Sequence, residues 1–306
     1  MERMDREFID SVIEADEARA GFARFLASLF LYELTQDQVE QLAHLSFEND
    51  GSKVAQGYAQ MVEYLRHRNR ATKQELAVDY AHTFLGAGVY DHVLAPPYES
   101  VFTSKDRLLM QESRDGALAY YRSEELDLPR DNSTPEDHLG FELQFVATLI
   151  ERADEALQAG DEDRFRELVV KQRSFLKFHQ ENWLPEFCDA IDEFCQTDFY
   201  RGVANLVRGY VEIERSVLDD MASELGIEGE EAEIRSAWMD LPDEGEACEL
   251  CPASAAAAAG VMTPDDKVAG ITADDLLSFD DGFDDALDDA LDDVPGDLAE
   301  ADGRDE

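Results

Sequence analysis

The chain has 306 residues, 44% of them hydrophobic, which suffices for one large domain or two with a sizeable core. Its 71 acidic residues stand against 26 basic ones, a formal net charge of −45. That balance excludes a nucleic-acid partner, which needs a basic surface, and stable attachment to anionic lipid; it favours cationic partners on top of a well-solvated surface.

The first residues, Met1 to Glu7, are charged and no apolar run follows them, so no secretory signal is expected. No window reaches the roughly 18–20 apolar residues of a membrane span. Four cysteines (Cys188, Cys195, Cys248, Cys251) are too few and too clustered for a disulfide framework. A cytoplasmic, reducing location is the expectation.

From Phe8 to about Leu34 the apolar residues Ile9, Val12, Ile13, Phe22, Phe25, Leu26, Leu29 and Phe30 recur at helical spacing, with Gly21 as a break between two helices. Thr35-Gln36-Asp37-Gln38 is a capping box opening a short helix to about Leu45. After a polar loop at 46–52, a helix is expected over about Lys53–Arg68. Thr72-Lys73-Gln74-Glu75 reads as a second capping box, opening a helix through Tyr80 and Phe84. Gly86 to Ser100 is irregular, because Pro96-Pro97 forces an extended path. Ser104 then caps a helix to about Tyr121, with Leu108, Leu109, Leu118 and Tyr121 available for burial.

After a loop with Pro129 comes Thr134-Pro135-Glu136-Asp137-His138-Leu139-Gly140-Phe141-Glu142-Leu143. Ser133 or Thr134 can cap, Pro135 suits the first helical position, and Glu136 and Asp137 suit the positive end of the helix dipole. Leu139, Leu143, Val146 and Ile150 carry the helix to about residue 158. Asp161 starts another, interrupted at Trp183-Leu184-Pro185, and Asp198 to Leu225 is a long amphipathic helix stopped by Gly226. No period-2 pattern occurs. The expected fold is all-α, a single multi-helix domain over 1–240 followed by an acidic, low-complexity tail over 241–306, expected to be disordered. Residues 242–306 hold 21 acidic and 2 basic residues. Within them Leu276, Phe279, Phe283, Leu287 and Leu291 would share one helical face.

Candidate chemistry is sparse. His138 and Glu142 stand four apart, and His82 precedes Asp91 and His92, but the second histidine of a zinc-hydrolase helix is missing, and no third ligand has fixed spacing. His138 is better read as hydrogen-bonded at a helix start, to Asp137 or a loop carbonyl. Cys248-x-x-Cys251 has no further ligand nearby, and Cys188 and Cys195 suit a core. There is no nucleophile elbow and no phosphate loop. No catalytic residue, metal or cofactor is expected.

Taken together, four blocks rise above this background: Tyr80-x-x-x-Phe84; Ala95-Pro96-Pro97-Tyr98-Glu99-Ser100; Pro135-Glu136-Asp137-His138-Leu139-Gly140-x-Glu142-Leu143; and Phe175-Leu176-x-x-His179-x-x-x-Trp183-x-Pro185-x-Phe187. In this order the chain resembles, over about residues 15–220, the TorD/DmsD family of redox-enzyme maturation chaperones. It departs from the family at Thr83, where leucine is usual, and at Thr134, where the family favours glutamate. The acidic tail is outside the family pattern.

The resemblance implies a non-catalytic, all-α chaperone. Its partner would be the catalytic subunit of a molybdopterin oxidoreductase, bound through a twin-arginine leader or as apoenzyme and held until cofactor insertion and export. A monomer or homodimer fits equally. Such a leader offers guanidinium groups followed by an apolar segment, so its receptor needs carboxylates beside a hydrophobic groove. Glu99, Asp137 and Glu142 are expected to supply charge, and Tyr98, Phe84 and Leu139 the groove; Pro135, His138, Tyr80 and Trp183 complete the candidate site. A NarJ-like assembly factor for a membrane-bound reductase is the near alternative. A metal-dependent all-α hydrolase and a scaffold acting through its acidic tail are the distant ones.

Overall fold

The computed structural model describes residues 6–47, 50–87, 94–128 and 132–234. Gly88, Asp91, His92, Pro129, Cys248, Cys251 and everything read into 241–306 lie outside them. Among the described residues the chain is all-α, as expected: ten α-helices, one π turn and no strand. The helices are α1 (Arg6–Leu31), α2 (Gln36–Ala43), α3 (Lys53–Arg66), α4 (Thr72–Leu85), α5 (Glu99–Thr103), α6 (Glu112–Ser123), α7 (Leu139–Ala159), α8 (Glu162–Phe175), α9 (Leu184–Phe194) and α10 (Asp198–Leu225); the π turn is Leu176–Gln180. No helix among them is long and apolar enough to cross a membrane.

Several helix ends follow the local chemistry that predicts them. Thr35 and Gln38 make both bonds of a capping box, and Gly226 ends α10 at φ 68°. Pro185 sits in the first turn of α9, where its missing N–H costs nothing. Other ends are corrected. Gly21 does not break α1: its position is exposed, and the apolar stripe on either side holds one continuous helix. Thr72 does not cap α4, because its hydroxyl accepts from the Asn69 amide in the preceding turn; Ala71 is the capping position. Ser104 terminates α5 rather than opening the next helix, and α6 begins only at Glu112. The bypassed stretch leaves Leu108 (56%), Leu109 and Met110 (58%) exposed, against the expectation that the two leucines are buried.

α3 runs along α10, α1 along α7, and α7 against α8. The α3–α10 crossing is set by two glycines: a Cβ on Gly57 would stand 2.7 Å from the Gly202 carbonyl oxygen, and one on Gly202 would stand 2.7 Å from the Gly57 carbonyl oxygen. Hydrophobic side chains from nearly every helix close one core. A buried ion network ties three of its helices: Arg19 on α1 forks onto Glu214 of α10 (3.0 and 2.6 Å), meets Asp16, and donates to Gln172 of α8 (3.0 Å). Cys188 and Cys195 are buried in this core, as expected, and burial pushes the Cys188 thiol up to about 12.

Candidate functional site

The start of α7 is built by a partner from elsewhere in the chain. Leu139 N–H donates to the Pro97 carbonyl (2.9 Å) and Glu99 N–H to the Asp137 carbonyl (3.0 Å), making an isolated antiparallel bridge between Tyr98 and His138. Asp137 does not lie inside the helix. It precedes it, and its carboxylate accepts from the backbone N–H of Ser100 (2.8 Å) and from the Ser100 hydroxyl. It thus caps α5, whose own capping position, Tyr98, supplies no side-chain bond.

His138, not Ser133 or Thr134, is the N-cap of α7. Its Nδ1 accepts from Gly140 N–H (3.0 Å), which places its remaining proton on Nε2; the expected bond to Asp137 or a loop carbonyl is not made. Its ring stands edge-on to Tyr98 at 4.9 Å. Burial pulls its pKa down to about 3, so it is neutral. Gly140 is required by close approach: a Cβ there would lie 2.4 Å from Leu31 Cγ at the end of α1.

One turn into α7, Glu142 is fully buried, and neither oxygen meets a hydrogen-bond partner; Asp137 Oδ1 and Gln180 Nε2 are likewise unpartnered. Burial, followed by the nearby Glu99 and Asp137, holds the Glu142 carboxyl well above the usual carboxylate range. Burial also raises Asp137, against its Ser100 bonds. Glu99 differs from both: His179 Nδ1 lies 2.8 Å from one of its oxygens and Asn182 donates to the other (2.9 Å). Asn182 is itself exposed, so it marks where this cluster reaches the surface. Trp183 Nε1 donates to the His179 carbonyl (2.7 Å), and its ring stacks on Phe102.

The structure therefore brings Tyr98, Glu99, Pro135, Asp137, His138, Leu139, Glu142 and Trp183 into one neighbourhood, but it corrects the expectation of an open groove. Asp137 and Leu139 have no exposed surface, and Glu99, His138, Glu142 and Trp183 are buried. Tyr80 and Phe84 are core residues: Phe84 is enclosed by Phe30 (5.5 Å), Tyr200 (5.3 Å) and Phe187 (6.3 Å), and Tyr80 donates to the Phe30 carbonyl (2.6 Å). Only Tyr98 and Pro135 of the expected set are partly exposed; Pro96, Phe102 and Phe141 join them at the surface. A separate surface cleft lined by Phe47, Tyr64, His67 and Glu75 contains none of these residues.

Sequence reasoning missed the pairing of His179 and Asn182 with Glu99, since these partners lie some eighty residues away along the chain, and Gln180, which accepts from Tyr210 of α10, 30 residues on. It also missed Asp79, which accepts from the N–H groups of Gln196 and Thr197 and from the Thr83 and Thr197 hydroxyls. Thr83, the departure from the family pattern, thus serves the start of α10.

A family model described as nitrate reductase delta subunit matches residues 48–189. The chaperone protein TorD of Psychrobacter sp. (strain PRwf-1) is 30% identical over 219 residues, covering 68% of this chain and 95% of that protein. The chaperone protein TorD of Vibrio cholerae serotype O1 (El Tor Inaba) is 30% identical over 220 residues, covering 68% and 96%. That of Vibrio parahaemolyticus is 29% identical over 213 residues, covering 66% and 95%.

Proposed function

We propose, from the chain's membership of the TorD family of redox-enzyme maturation chaperones, that it binds the twin-arginine leader or the apo form of a molybdopterin oxidoreductase in the cytoplasm and releases it for export once its cofactor is in place. The observation that carries this reading is the convergence of Glu99, Asp137 and Glu142 under the Tyr98–His138 bridge. Half-buried Tyr98 stands edge-on to His138, half-buried Phe102 stacks on Trp183, and the exposed Leu108–Met110 segment follows α5. Carboxyls near apolar surface are what a guanidinium pair leading an apolar segment requires. Because the carboxyls face inward, binding is coupled to parting of the two bridged segments. The similar relatives are named chaperones, and on this reading the chain binds its partner without catalysis.

Calorimetric titration with a synthetic twin-arginine leader tests this. Asp137→Asn keeps an oxygen for the Ser100 amide and removes the charge. It should weaken binding by about 10- to 100-fold, the worth of a charge-assisted hydrogen bond of about 1.5–3 kcal/mol. No binding by the wild-type chain, or equal affinity for a twin-lysine leader, would remove the leader from the proposal. The match to the nitrate reductase delta subunit model favours a second reading, an assembly factor acting on a membrane-bound reductase; that reading predicts capture of a mature catalytic subunit lacking any leader.

A further inference from the structure

The charge cluster at the start of α7 holds two buried titratable groups of opposite type one turn apart. His138 caps the helix through an unprotonated Nδ1, and Glu142 lies fully buried with both oxygens unpartnered. Neither arrangement survives if the group becomes charged: a protonated Nδ1 cannot accept from Gly140, and the one donor beside an ionised Glu142, the Trp183 indole, is already given to the His179 carbonyl. The groups around Glu142 do not relieve it. From α5 comes Glu99, already bonded to His179 of the π turn and to Asn182. From the turn before α7 comes Asp137, capped onto Ser100, and Glu136, which holds Arg114 of α6. Tyr121 of α6 donates to the Glu136 carbonyl, and Tyr210 of α10 donates to Gln180.

We propose that the Tyr98–His138 junction is a two-sided proton latch: it is shut while His138 and Glu142 are both uncharged, and it parts when either becomes charged. The latch is a property of the chain alone, independent of any leader.

The pH dependence follows from linkage. Shut, the Glu142 carboxyl is held well above 4.5 and the His138 imidazole down at about 3; parted and solvated, they return to about 4.5 and 6.5. Above about pH 4.5 the parted form loses the Glu142 proton and the shut form keeps it, so parting gains up to tenfold per pH unit as pH rises. Below about pH 6.5 the parted form gains a proton on His138 and the shut form does not, so parting gains up to tenfold per unit as pH falls. Between about 4.5 and 6.5 the two slopes cancel, and the latch is tightest there. Asp137, also raised by burial, pulls in the same direction as Glu142 from about pH 3.8 upward and so opposes the acid limb.

Hydrogen–deuterium exchange of peptides spanning 134–146, corrected for intrinsic exchange, should show this U-shaped profile in the full chain. Glu142→Gln, the uncharged isostere, should abolish the rise above pH 6.5 and keep the acid limb. His138→Asn, which retains a capping oxygen, should remove the acid limb and move the onset of the alkaline one down to about pH 4.5. An infrared band of a protonated carboxyl that persists above neutral pH in the wild type and disappears in Glu142→Gln gives a second readout, independent of exchange. A flat wild-type profile, or an alkaline limb that survives Glu142→Gln, overturns the latch. If Glu142→Gln does not fold, absence of the band in the wild type overturns it.

Discussion

Gly140 shows how much one missing methyl group decides. Leu31 at the end of α1 packs where its Cβ would be, so the α7 start, its His138 cap and the Tyr98 bridge all depend on hydrogen at that position. Gly140→Ala should destabilise the protein by about 1–3 kcal/mol, the usual cost of overpacking. Leu31→Ala in the same chain should recover part of it, since space is then made; urea denaturation of both variants checks this. A loss that Leu31→Ala leaves unchanged would place the strain in the backbone instead. At the same scale Asp137 and Glu142 make opposite uses of one chemistry. One carboxylate is a cap for α5, the other a buried acid without a donor.

At the scale of elements the helices are held as much by ions as by apolar stripes. Arg19→Met should cost about 3–5 kcal/mol in urea denaturation, because Asp16 and Glu214 are then left buried without their guanidinium. Stability lost in that variant should return partly as pH falls and the stranded acids protonate. These elements differ in how far the sequence announces them. α10, α2 and the Pro185 start of α9 are legible because the deciding residues are neighbours in sequence: Gly226 beside Leu225, Thr35 beside its capping box, Pro185 within the first turn. α4 stands where it is expected but its cap is misassigned, and α6 is misplaced, because Thr72 and Ser104 carry the right hydroxyl but spend it on a local turn. The blocks of the candidate site are legible as blocks, and their shared neighbourhood is real. Their inward orientation is not legible, since the groups that cover Asp137 and Glu99 lie 37 and 80 residues away. A carboxylate at a helix start is exposed by default until such a partner arrives.

For the molecule as a whole, a formal charge of −45 means that any cationic leader is drawn in before it touches a specific residue. Association of a twin-arginine peptide, followed by stopped-flow fluorescence, should therefore slow several-fold from low to physiological salt, with a smaller change in dissociation. A salt-independent association rate would leave the charge as a solubility device. The two glycines at the α3–α10 crossing have a wider consequence. A side chain added to either one cannot be offset by trimming the other, for neither has an atom left to give up. Relief has to come from the two helices standing further apart, and with them segments that lie some 145 residues from each other along the chain.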